Sequence, residues 1–292
     1  MNRPVLAPGV RVLRRSRDVL QVGLAPHRRV LLPDSEQVRR TLGQLQRAET
    51  PADDLGSREV LDALAPVLVD ATGLVVPGVA AGDVAAAALL DPVGYLDRIA
   101  SRRRATLRVQ GALDDVDPRP LLTAAGLSTE PREHGRPPSV VLVLGVGEVD
   151  RDDVDPWLRS GVPHLVVRLL EGDAIIGPFV EPGRTACLRC LDAHRTEDDH
   201  RAAVLAASHA RAGRHRHDGV AEPVDTALAT LAVAWAVRDV VSHVEGERPA
   251  TWSTTVRLSA TLATVTQTEW RRHPACGCSW LPDEHLSSTM RG

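Results

Sequence analysis

Four cysteines in two tight pairs constrain this chain more than any other feature. Cys187 and Cys190 form a C-x-x-C within GRTACLRCLDAH, and Cys276 and Cys278 form a C-x-C within HPACGC. A C-x-x-C lets two thiolates point at one ion from a single turn. Two such pairs from distant segments are the usual halves of a tetrahedral tetrathiolate zinc site. The expectation is one structural zinc on Cys187, Cys190, Cys276 and Cys278. Four thiolates fill the coordination sphere and leave no position for a reactive water, so no catalytic metal is expected. Two other readings stay open at this level. A thioredoxin-type redox pair would not need the second pair, and disulfides would need an oxidising compartment. MNRPVLAPGVRVLRR has no apolar run after its basic residues, so no secretory signal is read there and a cytoplasmic location is expected.

The length, 292 residues, allows two domains or one large one. The apolar residues are mainly Val, Leu and Ala, and every basic residue is Arg. A net charge of -3 argues against a general nucleic-acid binder. The longest apolar run, Thr226 to Val237, is too short to span a bilayer, so no membrane segment is expected.

Residues 1–77 read as a small module. Short β-branched runs at Val10–Leu13, Val19–Leu24 and Arg29–Leu32, each bounded by Pro, Gly or charge, predict a β-meander. Asp34-Ser35 caps a helix with Val38, Leu42 and Leu45 at helical spacing. After Thr50-Pro51, a second helix carries Val60, Leu61, Leu64, Val67 and Leu68 and runs to near Gly73, and Leu74–Val76 closes as a strand. Strands, helices and a closing strand predict a winged-helix-like module. Glu59, Asp62 and Asp70 on the second helix oppose phosphate contacts. Peptide docking on a strand edge fits better, beside a purely structural packing or dimerisation role. Residues 78–105 read as an Ala-rich helical linker, and Arg102-Arg103-Arg104 as a solvated face.

From residue 106 to 292 the pattern changes. TLRVQ (106–110), the apolar run Ser139–Leu144, His164–Leu170 and Asp173–Val180 alternate with helical stretches, which predicts a doubly wound α/β sheet. A dinucleotide fold places G-x-G-x-x-G after its first strand. Here Gly111 is followed by Ala-Leu and then Asp114-Asp115, the wrong charge for a phosphate cradle. The stretch Thr196–Gly219, with His200, His209, His215 and His217, reads as a solvated connector. Pro223 and Asp225 open a long buried helix, and Thr251–Leu258 with Thr261–Trp270 predict a hairpin that returns HPACGC to the first cysteine pair. His194 and His273 are expected to hydrogen-bond the thiolates rather than bind metal.

GPFVEPGRTACLRCLDAHR, the Ala-rich helix Val224–Val244 and HPACGC together resemble the ThiF/MoeB family, whose fold is shared with ubiquitin-activating enzymes. The resemblance is greater to the branch that serves as cyclodehydratase partner, or leader-peptide-binding protein, in thiazole/oxazole-modified peptide (RiPP) biosynthesis. It implies an α/β fold with a truncated Rossmann-like ThiF-type sheet and a zinc site, preceded by a winged-helix-like, PqqD-like module. It matches Cys187, Cys190, Cys276 and Cys278 to the family's zinc ligands. The implied partners are a precursor leader peptide and a separate YcaO-type cyclodehydratase, with a homodimer possible. An adenylating member would carry a full glycine-rich loop after Gln110 and an aspartate where Gly145 stands. Bound ATP and catalytic residues are therefore not expected. ATP-dependent activation of a C-terminal carboxylate and a dimeric scaffold are the alternatives.

Overall fold

The computed structural model describes residues 3–113, 116–129, 137–212, 218, 220 and 222–280. Asp114, Asp115, His215 and His217 lie outside the described residues. The chain divides into two units, residues 1–101 with 124–126, and residues 102–123 with 127–292.

In the first unit, β1 (Pro4–Leu6) precedes a meander of β2 (Val12–Arg14), β3 (Val19–Val22) and β4 (Val30–Pro33), antiparallel in the order β2-β3-β4. Two helices follow, α1 (Glu36–Gln46) and α2 (Leu55–Leu64). The Ser35 and Asp54 side chains accept from the N–H groups of Val38 and Ser57 and cap them, each cap being worth about 1 kcal/mol. Leu20, Val22 and Leu32 pack with Val38, Leu42 and Leu45 of α1 and Val60 and Leu64 of α2. The second helix does not run on to Gly73. It ends at Leu64, Pro66 lies in a 3-10 turn, and β5 (Leu68–Asp70) pairs antiparallel with β1. Proline lacks the N–H needed to continue the helix, and the apolar triplet after it finds a strand partner at the start of the chain. Leu74–Val76 is not a strand. The stretch read as a linker is helical over α3 (Ala81–Leu90) and α4 (Tyr95–Arg104), the unit boundary falling within α4. Val84, Ala87, Ala88, Tyr95 and Ile99 pack against Val5 and Val69, inside the first unit's core.

The second unit is built on β6 (Leu107–Gly111), α5 (Arg119–Ala124), β7 (Val140–Val146), α6 (Arg151–Arg159), β8 (His164–Leu170), β9 (Asp173–Val180), α7 (Leu188–Asp198), α8 (Ala202–Ala212), α9 (Thr226–Val244), β10 (Thr254–Leu258) and β11 (Val265–Glu269). The sheet order is β11-β10-β9-β8-β7-β6. β6, β7 and β8 are parallel, whereas β8-β9, β9-β10 and β10-β11 are antiparallel. The sheet is thus mixed rather than doubly wound throughout. Glu171 and Gly172 both have positive φ, 54° and 88°, between Leu170 and Asp173. A two-residue turn with positive φ at both positions matches strand twist and reverses the chain at once, leaving no crossover helix.

Capped by Asp225, α9 buries Leu228, Val233, Val237, Val240 and Val241 and packs against β8 and β9. Burying each such side chain is worth roughly 1.5–3 kcal/mol, so packing outweighs the cap in holding this helix. It runs to Val244, seven residues beyond the apolar run seen in the sequence, and is long and apolar enough by length and composition to cross a membrane. Half of that window is buried inside the protein. The region read as a solvated connector contains α8. Arg102, expected on a solvated face, is buried and paired with Glu245 at 2.5 Å.

Candidate metal centre and crevice

Cys187 occupies the N-cap position of α7, and Cys190 lies in the first turn, its N–H donating to the Cys187 carbonyl at 2.9 Å. The loop before them is pinned, since Ala186 N–H donates to Ser253 Oγ at 2.9 Å. The β10-β11 hairpin leads to Cys276 and Cys278. Arg272 then bridges the two cysteine segments, with Nη1 donating to the Gly183 carbonyl at 2.5 Å and Nη2 to the Cys278 carbonyl at 2.8 Å. All four cysteines are buried and none forms a disulfide. The sulfur distances are 3.8 Å for Cys187–Cys190, 3.6 Å for Cys187–Cys276 and 3.2 Å for Cys190–Cys278. All four Sγ atoms lie within 4.8 Å of one another. Zinc–sulfur bonds of about 2.3 Å in a tetrahedron place sulfurs about 3.8 Å apart, so the donor set fits such an ion in kind and spacing. This buried group could hold a metal ion such as zinc.

Proton sharing within the cluster runs the same way. Hydrogen bonds from Cys187 and Cys278 push the Cys190 thiol well below its usual range, against burial, and the His273 N–H adds a donor at 3.3 Å. The hydrogen bond to Cys190 holds the Cys187 proton and pushes that thiol up. His273 reaches the Cys190 sulfur through its backbone N–H. Its ring Nε2 faces Glu197 at 3.0 Å, and His194 Nε2 donates to the Arg271 carbonyl at 2.9 Å. These imidazoles tie α7 to the segment before Cys276.

The second feature is a crevice at the carboxyl ends of β6 and β7, where open α/β sheets place ligands. Gln110, Gly111, Gly145, Gly147, Glu148, Asp150, Asp153, His209 and Glu222 line it. Gly111 has φ +79°, and a Cβ there would collide with the Leu144 carbonyl. The glycine read as a remnant of a phosphate loop is thus required by close packing of β6 on β7. Gln110 accepts from Trp157 Nε1 at 2.8 Å and donates to the Asp153 carbonyl at 3.1 Å. From α8, His209 Nδ1 accepts the Glu148 N–H at 3.3 Å.

Behind the crevice wall lies a buried charge network that sequence reading missed. Arg151 donates to both carboxylate oxygens of Asp192 at 2.7 Å and to Glu148 Oε2 at 2.9 Å. Arg168 Nη1 donates to the same Glu148 oxygen at 3.2 Å. Burial opposes the Glu148 charge, and Arg168 and Arg151 overcome it, leaving the carboxyl below its usual range. The available signal was a lone arginine inside the apolar strand HLVVRLL.

Comparison with solved structures places this architecture. A heterocyclase in complex with substrate and cofactor aligns at a TM-score of 0.67 with 16% identity, over 95% of this chain and 39% of that one. The heterocyclase TruD aligns at 0.66 with 14% identity, over 95% and 42%. E. coli MccB, solved with AMPCPP and MccA, aligns at 0.58 with 9% identity, over 94% and 99%. The fold is shared with MccB and TruD. The expected resemblance therefore holds at the level of fold. The chain spans about two fifths of the length of the two heterocyclases and nearly all of MccB. No family model matches the sequence, and no curated protein does.

Proposed function

We propose that this chain is a non-adenylating, ThiF-like partner protein of RiPP biosynthesis. It binds the leader of a precursor peptide on its first unit and presents the core peptide to a separate YcaO-type cyclodehydratase in the cytoplasm. The observation that carries the reading is the fold shared with the heterocyclases over 95% of this chain. Cys187, Cys190, Cys276 and Cys278 hold one structural zinc, which ties the C-terminal hairpin to α7 and takes no part in chemistry.

The first unit is read as a winged-helix-like, PqqD-like module, residues 1–77 of the chain, that takes the leader as an added strand. The register names the donors. Gly23 N–H donates to the Arg11 carbonyl and Arg15 N–H to the Val19 carbonyl, so the N–H groups of Val12 and Arg14 face away from β3. Asp34 N–H donates to the Asp18 carbonyl, which turns the Leu31 N–H away from β3, and Pro33 has none. Fluorescence polarisation with the leader peptide encoded beside this chain tests the reading. Val12→Pro or Leu31→Pro, each deleting one outward donor, is expected to weaken binding at least tenfold on the edge that is used. No binding by the parent protein, or binding unchanged in both variants, overturns strand addition.

A second reading has one observation in its favour: coverage of 99% of MccB, a protein also solved with ATP. On that reading the chain is an adenylyltransferase. The acidic lining of the crevice, Glu148, Asp150, Asp153 and Glu222, disfavours nucleotide phosphates. ATP–pyrophosphate exchange with candidate peptides separates the two readings.

A further inference from the structure

Arg168 is wholly buried at the carboxyl end of β8, opposite Gly145 of β7. Its guanidinium uses only Nη1, which meets Glu148 Oε2 at 3.2 Å. Nε and Nη2 are buried with no hydrogen-bond partner among the described residues. Those two nitrogens form the side-on edge of an arginine, the fork whose parallel N–H bonds match two oxygens of a carboxylate or phosphate. Buried donors are nearly always paired, so an idle fork at 0% exposure requires an explanation. A solvated surface arginine would need none.

We propose that Arg168 is the receptor of an oxyanion site opening on the crevice, and that Glu148 is the chain's own anion holding that site shut. Glu148 lines the crevice, Arg168 does not, and the Glu148 carboxylate meets the guanidinium at 3.2 Å. Glu148 follows Gly147, which has φ +83° and lies just past the end of β7. Arg151 contacts the same carboxylate oxygen and is itself satisfied by Asp192. Withdrawal of Glu148 therefore leaves Arg168 as the cation lacking a counter-charge. Asp150, Asp153 and Glu222 at the crevice repel anions arriving from outside. The ligand chemistry is a small oxyanion, either a carboxylate, as at a peptide end, or a phosphate. The inference rests on the reading that the crevice does not adenylate, because a nucleotide held there would have to displace Glu148.

The experiment is chemical rescue in the full chain. Glu148→Ala is expected to lower the unfolding midpoint, and formate or inorganic phosphate, compared with chloride at matched ionic strength, to restore at least half of the loss. The parent protein is expected to show no such difference between salts. Whether formate or phosphate acts identifies the ligand class. The double variant Glu148→Met/Arg168→Met replaces the pair with apolar side chains, a change often tolerated for buried ion pairs, and is expected to respond to neither salt. Glu148→Gln serves the same comparison if Glu148→Ala does not fold in chloride. Failure of both salts to restore either single variant overturns the proposal, as does an equal response in the double variant. ATP–pyrophosphate exchange by the parent protein would instead overturn the non-adenylating reading, so the two failures are distinguishable.

Discussion

The cysteine cluster and the crevice occupy the same unit and are built on opposite logics. At the cluster four like donors converge from two segments, with sulfurs 3.2 to 3.8 Å apart. Like donors so close, buried together, form a group that could hold a metal ion. At the crevice the buried charges are already matched within the chain, Arg151 with Asp192 and Glu148, and Arg168 with Glu148. The two regions even share α7, which carries both Cys190 and Asp192. The difference teaches that function on one scaffold cannot be read from fold alone: the same sheet carries one place that could hold a metal ion and one that supplies its own counter-charge.

The sharpest way to break this contrast is to remove one sulfur. Cys276→Ser is expected to abolish bound zinc and to lose a large part of the roughly 10–16 kcal/mol that structural zinc contributes in small metal-dependent folds. Mass-spectrometric metal analysis together with urea unfolding reads both quantities. A zinc-free parent protein of undiminished stability would refute the metal assignment. Next in size is Arg151→Met. It leaves Glu148 and Asp192 short of a buried partner, an uncompensated loss of about 3–5 kcal/mol. This loss should persist in the presence of a chelator, whereas a variant as stable as the parent would show that the crevice network does not hold the fold.

Acid sharpens the comparison further. His164 is almost fully buried, and burial pushes its imidazole down to about 4, against the hydrogen bond to the Val162 carbonyl. The unfolded chain takes up this proton from about pH 6.5 downward. Stability present above that pH is therefore lost as pH falls from about 6.5 to about 4, by about 3 kcal/mol. Glu148 has a depressed carboxyl, so its contribution is complete above the ordinary carboxylate range and is lost only below it. His164→Leu should flatten the first interval in pH-dependent unfolding and leave the second unchanged. A variant with the parent's slope above pH 5 would assign the acid response to the thiolates instead. The smallest effect belongs to Asp153→Asn, an exposed carboxylate at the crevice, expected within about 0.5 kcal/mol of the parent by urea unfolding. A larger change would mean that the rim carries structural load.

Legibility followed locality. The meander, the Ser35 and Asp225 caps, the apolar strand β7 and the cysteine pairing rest on residues close together or on an unmistakable chemical type, and the sequence displays them. The β5 strand was hidden because three residues, Leu68-Val69-Asp70, declare themselves a strand only through their partner β1. The mixed sheet turned on Glu171-Gly172, a turn signal short enough to be passed over between two strong strands. Arg102 and Arg168 were invisible as buried charges because their partners, Glu245 and Glu148, lie far away in sequence. Charge burial is a property of the pair, and a pattern read along one segment cannot display it.

The separation of the cysteine pairs also sets an order of events during synthesis. Cys278 follows Cys190 by 88 residues, so at roughly 5–20 residues per second the ribosome makes the second half of the clamp about 5–20 s after the first. On the proposed ligation, a nascent chain holds only two thiolates for that whole interval. Metal capture is then a late, finishing step, taken after α9 and the central strands have been made. A chain arrested before Cys276 would carry a half-site, with two reactive thiols open to oxidants and to the wrong metal.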